Sequence, residues 1–424
     1  MPTKRSAPSA RKPTRRPSPG RPRRVEPLDN LLRRALRVLR TNDAVQAHQL
    51  LAPVFKGLRS TPAYRTADRL AEAYAVRAHT TFMLGPARSA FRLLRIARKD
   101  YPTDARFAAL ESRMLLQMGR SRAAATAARA ALAIAPNVDA RLVLAELARR
   151  DGRNTEALEQ CHAALECDRT RWETYTVLVE TLLGLGWTDE ALQFLRVAVR
   201  RVPRRVRREA WWKLVHTAMP ARKYEAAEHA LRQLQKSSNE RELGEVYVAL
   251  SEVYGQTQRA NDALVCARKA LELNPRNLEG LYALLAANVA RGSYAAAIRA
   301  AATAVEVAPS DPFNRFRLGV LLQQSGNVRG AVEQFQLLQA LNPDTPLAEA
   351  AAEALSSLDQ FQFQQVLMRV SEDSVFRLKL LQNTESALTE YGYVPSLGLL
   401  AILRSNEVGQ FLHLPLSDKP VRYH

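Results

Sequence analysis

The chain repeats itself with a fixed step, and that step limits its fold more than any single residue does. Three consecutive stretches between Gly244 and Pro343 close on Pro275, Pro309 and Pro343, 34 residues apart both times. Each stretch places an alanine at one offset (Ala263, Ala297, Ala331) and a turn residue five positions earlier (Gln258, Gly292, Gly326). A period of this length belongs to stacked supersecondary units. Each unit holds two apolar stripes of helical spacing, split by a short polar turn. In the second unit the stripes are Leu281, Leu284, Leu285 and Val289, then Ala297, Ile298, Ala301, Ala304 and Val305. The alanines fall where the two helices of a hairpin cross. Proline lacks an N–H and disfavours helix in the residue before it, so it ends the second helix. Such a hairpin cannot bury its apolar face alone, and neighbours must stack on it.

The same rhythm runs upstream. Full units are expected from Ala71 through Tyr74, Gly85, Ala90 and Leu94, then through Gly119 and Ala124 to Pro136. Two more follow through Gly152 and Ala157, and through Tyr175, Gly186 and Ala191 to Pro203. Weaker hairpins are expected over 28–70 and 206–243. The full division is 28–70, 71–104, 105–137, 138–171, 172–205, 206–243, 244–277, 278–311 and 312–345, nine units in all. A capping helix follows over 346–368, as the open end of a stack needs. A small helical module at 369–407 and a tail at 408–424 complete the chain.

These residues resemble the tetratricopeptide repeat. That family places a large residue early in helix A, a Leu-Gly pair, a turn glycine, a small residue in helix B and a closing proline. The third unit shows Leu318-Gly319, Gly326, Ala331, Phe335 and Pro343, whereas the second has Leu284-Leu285 at the Leu-Gly position. The resemblance implies an all-α, right-handed superhelical solenoid whose A helices line a concave face that receives extended peptides or partner helices. Its candidate lining includes His79, Phe82, Glu146, Arg149, Glu173, Glu180, Glu245 and Glu279. The partner-binding positions singled out are Glu252, Tyr282, Phe313, Phe316, Arg317 and Gln323. An aromatic–arginine set is the composition of interface anchors. In the family, a two-carboxylate clamp uses paired Lys and Asn on successive A helices. Val248, Glu252, Tyr282 and Ala286 stand at those places, which argues against chaperone C-terminal tails as ligands.

Composition narrows the function classes. The 424 residues carry a net charge of +20, with 52 arginines against 10 lysines. Arginine-favouring codon usage and attraction to polyanions both account for that balance. Residues 1–27 hold nine Lys or Arg and seven prolines with almost no apolar residue, so they form a disordered tail. Arg11, Lys12, Arg15, Arg16, Arg21, Arg23 and Arg24 could hold nucleic-acid phosphates there without sequence specificity, or simply be solvated. Arg200, Arg201, Arg204, Arg205, Arg207 and Arg208 make a second basic run, read either as a polyanion patch or as a solvated turn.

Three cysteines (Cys161, Cys167, Cys266) make no disulfide framework and point to a reducing compartment. No apolar run reaches membrane-spanning length, and the basic N-terminus lacks a signal-peptide core. Cytoplasmic placement without membrane contact is the expectation. No GxGxxG after a strand, GxxxxGK[ST], HExxH or CxxC is present, and the seven histidines are scattered. The sequence reads as non-enzymatic, without cofactor or metal.

At the C-terminal end, Leu380-Leu381, Ala387-Leu388 and Tyr391-Gly392-Tyr393 are similar to small helical modules of the Nif11 and nitrile-hydratase-like leader group. That likeness implies a docking or leader-like element serving peptide-modifying machinery. The alternative is a helical extension packed on the cap.

Overall fold

The computed structural model describes residues 26–41, 43–58, 64 and 69–404. Among them every regular element is a helix, 22 in number. The chain divides into two compact units, Met1–Phe194 and Leu195–His424. Five helix pairs precede residue 202: α1 Leu28–Leu39 and α2 Ala44–Gly57, α3 Leu70–Met83 and α4 Ala87–Asp100, α5 Ala105–Gln117 and α6 Ser121–Ile134, α7 Val138–Arg150 and α8 Asn154–Cys167, α9 Trp172–Gly184 and α10 Thr188–Arg201. The second unit continues with α11 Arg204–Ala218 and α12 Tyr224–Ser237, α13 Glu240–Gln256 and α14 Ala260–Leu273, α15 Leu278–Ala290 and α16 Tyr294–Val307, α17 Pro312–Gln324 and α18 Val328–Leu341. It ends with α19 Pro346–Glu372, α20 Ser374–Gln382, α21 Thr384–Glu390 and α22 Leu397–Leu403.

Within the first unit α1 packs on α2, α3 on α4, α5 on α6 and α7 on α8, and each hairpin leans on the next. The second unit repeats this from α11 to α18. The first helices of successive hairpins also touch: α3 with α5, α5 with α7, α7 with α9, and α13 with α15. This is the neighbour-only packing of a repeat array.

The hairpin turns explain the periodic glycines. At Gly119 the backbone is left-handed (φ 73°), and the next N–H, that of Arg120, reaches back to the Leu115 carbonyl at 2.9 Å. That wrap satisfies a carbonyl the helix end leaves open, and a residue without Cβ adopts it without strain. Gln258 stands at the same turn position with φ 62°, and its successor Arg259 makes the same bond to Tyr254. The crossing alanines, Ala90, Ala124, Ala157 and Ala191 in one unit and Ala227, Ala297 and Ala331 in the other, are fully buried. A larger side chain there would push the two backbones apart.

Helix α19 is twice the usual length and joins two cores. Its first half closes the array through Ala348, Ala351 and Leu358. Its second half presents Val366 and Val370 to Phe376, Leu380, Leu388 and Leu399 of the terminal helices. Two buried polar residues fix this joint. Gln362 accepts the Val394 N–H at 2.8 Å, and Asp359 accepts the Ser396 hydroxyl while Ser396 caps α22.

Candidate functional site

In a repeat array the residues free to meet a partner are those that neither stacking nor hairpin packing consumes. On the first helices of the second unit, one group of them is assembled across two hairpins. The Arg317 guanidinium of α17 lies over the Tyr282 ring of α15, 4.5 Å from its centroid. The Tyr282 hydroxyl donates to Asn314 Oδ1 at 2.8 Å, and Asn314 in turn donates to the Ala304 carbonyl at 3.3 Å. Tyr282 is therefore held from below, and burial with the nearby Asp311 raises its hydroxyl pKa, keeping it a neutral donor. Arg317 is itself exposed. Phe313, one turn before Arg317, is 56% exposed, a large value for a phenyl ring on a folded surface.

The other singled-out positions behave differently. Phe316 is half-buried, its ring 5.8 Å from that of the fully buried Phe335, and it joins the core of the last hairpins. Gly319 exists to admit Phe335: a Cβ there would meet the ring at 2.6 Å. Glu252 on α13 is exposed. Gln323 sits at the far end of α17, where it lines a cleft of about 830 Å³ with Phe361 and Gln365 of α19 and Tyr391. Arg369 lies over the Tyr391 ring in that cleft, 5.0 Å from its centroid.

In the first unit the corresponding face is an ionic ladder. Arg171 bonds Asp139 at 2.8 Å, and Arg113 of the preceding hairpin reaches the same carboxylate at 3.6 Å. Arg149 and Arg150 both pair with Glu146, whose carboxyl pKa stays below its ordinary value despite partial burial. Glu146, Thr176 and Val177 border a shallow groove of about 230 Å³ that crosses three hairpins. His79 is held neutral by burial, and Phe82 packs edge-on against Phe91 at 6.5 Å.

The basic run at 200–208 is helical on both sides of Val202 and Pro203. Arg200 and Arg201 fill the last turn of α10, where a helix end favours cations. Arg204, Arg205, Arg207 and Arg208 open α11, with no acidic residue in its first turn. Arg208 is paired with Glu242, and Arg207 is half-buried with one guanidinium N–H bonded to the Val202 carbonyl at 3.4 Å. Arg200, Arg201, Arg204 and Arg205 remain exposed. The tail arginines from Arg11 to Arg24, with Lys12, lie outside the described residues.

Cys161 is fully buried at a helix crossing, and burial pushes its thiol pKa up to about 12, so no thiolate forms near neutrality. Among the described residues no group of three His, Cys, Asp or Glu could hold a metal, and no helix is long and apolar enough to cross a membrane.

Residues 110–171 and 244–277 each match a tetratricopeptide-repeat family model. No curated protein sequence matches the chain. A solved structure of YrrB, a repeat protein of this class with an unusual peptide-binding site, is 20% identical, covering 46% of this chain and 100% of its own with a TM-score of 0.35. MamA from Desulfovibrio magneticus RS-1 is 17% identical over 41% of this chain and 95% of its own, TM-score 0.35. A tetratricopeptide-repeat protein from Parabacteroides merdae is 14% identical over 59% of this chain and 98% of its own, TM-score 0.38. The two matched stretches are tetratricopeptide repeats, and the turns and crossing alanines carry the same pattern through the neighbouring hairpins. Repeats of this class are protein-interaction modules, and the chain is in that general sense an interaction scaffold.

Proposed function

We propose that the chain is a non-enzymatic scaffold that holds a segment of a protein partner against the outward faces of its first helices. Tyr282, Phe313 and Arg317 are the anchors, with Glu252 and Gln323 as polar contacts at either side and Phe316 supporting α17 from the core. The supporting observation is the Arg317–Tyr282 pair beside the exposed Phe313 ring. A stacked guanidinium on a hydrogen-bonded tyrosine is rigid before any partner arrives, so little side-chain entropy is lost on binding. A neighbouring phenyl ring left in water supplies apolar area to be covered. Tyr and Arg are the residue types that most often carry interface energy.

The reading is tested by affinity capture from cell extract, with the intact protein as bait and mass spectrometry as readout. Phe313→Ala combined with Arg317→Glu should lower recovery of the principal partner about tenfold or more, the loss expected when roughly 1.4 kcal/mol or more of binding energy goes. Undiminished capture by a variant whose circular dichroism matches the parent would dismiss these anchors.

A further inference from the structure

The outer face of α4 carries positive charge that no carboxylate among the described residues answers. Arg88, Arg92, Arg95 and Lys99 follow the i, i+4, i+7, i+11 spacing that sets side chains in one row along a helix. All four are exposed, and among the described residues none is ion-paired with a carboxylate. Some other arginines do find partners: Arg153 reaches both Asp151 and Glu156, and Arg259 reaches both Glu228 and Asp262. The row on α4 has none among the described residues. At about 1.5 Å per residue it extends roughly 16 Å.

This row is one wall of a cleft of about 800 Å³, the other wall coming from α5 and the turn behind it. Arg120 adds a further positive charge from that turn. The single carboxylate in the cleft, Glu111, is already occupied by Arg98 at 2.7 Å. Between the charged walls lie Phe91 and Leu115, an apolar strip. A phosphodiester chain would use the cations but not the strip. No open aromatic face is offered to a base either, because Phe91 is half-buried and packed edge-on by Phe82. Guanidinium groups flanking an apolar strip suit carboxylates alternating with aliphatic side chains, and the fork of arginine bonds a carboxylate through two N–H groups. An extended segment of about five residues matches the length of the row.

We propose that this cleft is a second docking site, separate from the first-helix faces, and that its ligand is an acidic protein segment in which carboxylate and apolar side chains alternate. The test uses the full chain and fluorescence anisotropy of a labelled ten-residue peptide of alternating glutamate and leucine. Binding should weaken at least tenfold in Arg92→Glu/Arg95→Glu, and less than twofold in Arg268→Glu/Arg291→Glu, which changes net charge equally on exposed positions of the other unit. A peptide of alternating glutamate and serine should bind at least fivefold more weakly than the leucine peptide. Equal loss in both double variants would show that only net charge is sensed and overturn the site. Equal binding of the serine peptide, or tighter cleft-dependent binding of oligo(dT), would overturn the ligand assignment. Matching far-ultraviolet circular dichroism of the variants keeps a folding defect from passing as lost binding.

Discussion

Replacing Gly319 by alanine should destabilise the last hairpins, although alanine is ordinarily the better helix former. Gly319 lies in the middle of α17, and an added Cβ would sit 2.6 Å from Phe335 Cε1 and 2.9 Å from Cδ1 and Cζ. The ring cannot step aside: Phe335 is fully buried and backed by Phe316 at 5.8 Å. Overpacking of a core by one methyl costs about 1–3 kcal/mol, against a helix-propensity gain of about 1 kcal/mol for Gly→Ala. The net expectation is a loss of up to about 2 kcal/mol. Gly255 supplies the opposite case, since it lies in α13 with nothing within 4 Å of its would-be Cβ. Gly255→Ala should gain about 0.5–1 kcal/mol. Arrays of repeats can lose two-state behaviour, so the readout is local as well as global. Thermal melts give the midpoint, and native-state hydrogen exchange of amides in α17 and α18 gives the hairpin's own opening energy. In a Phe335→Leu background the cost of Gly319→Ala should fall below about 0.5 kcal/mol, because the contact is gone. A stabilised Gly319→Ala, or an equal cost in both backgrounds, would refute the ring as the cause.

Further expectations follow from turns and from the joint. Gln258 holds a left-handed φ of 62° where most of its counterparts are glycine, Arg222 (φ 57°) being the other exception, so Gln258→Gly should relieve about 1 kcal/mol of strain, part of it returned as unfolded-chain entropy. A net gain of about 0.5 kcal/mol in thermal melts is expected, and a clear loss would contradict the strain. Asp359 is buried, and that burial raises its pKa above the ordinary carboxyl value although Ser396 opposes the shift. The folded state thus holds the Asp359 proton more tightly than the unfolded one. Its contribution is most favourable below the unfolded pKa and is lost as pH rises through the folded one. Asp359→Asn should flatten the decline of exchange protection in α22 between about pH 4 and neutrality; an unchanged pH profile would remove Asp359 as its source.

Much of the fold was legible because the repeat step writes itself into residue types. The turn glycines and crossing alanines are steric necessities, and closing prolines such as Pro275 stand just past their helices. What escaped was long-range and polar. Asp359 and Gln362 look like solvent-facing residues of an amphipathic helix, and only the fold reveals that they grip Ser396 and Val394 more than 30 residues away. Phe316 and Phe313 are alike in sequence, yet one ring enters the core and the other stays in water. The row Arg88, Arg92, Arg95 and Lys99 was visible as a helical spacing. It lies on a second helix, away from the first-helix positions that the repeat pattern marks as a partner face.

Where a partner touches the chain decides most directly whether the first helices are a binding face. Hydrogen exchange of the protein, free and saturated with its principal captured partner, measures this peptide by peptide. Protection concentrated in α13, α15 and α17, strongest around Tyr282 and Phe313–Arg317, is the result expected of a scaffold that binds through its first helices. Protection confined to α20–α22 or to the second helices, with those three helices unchanged, would contradict it.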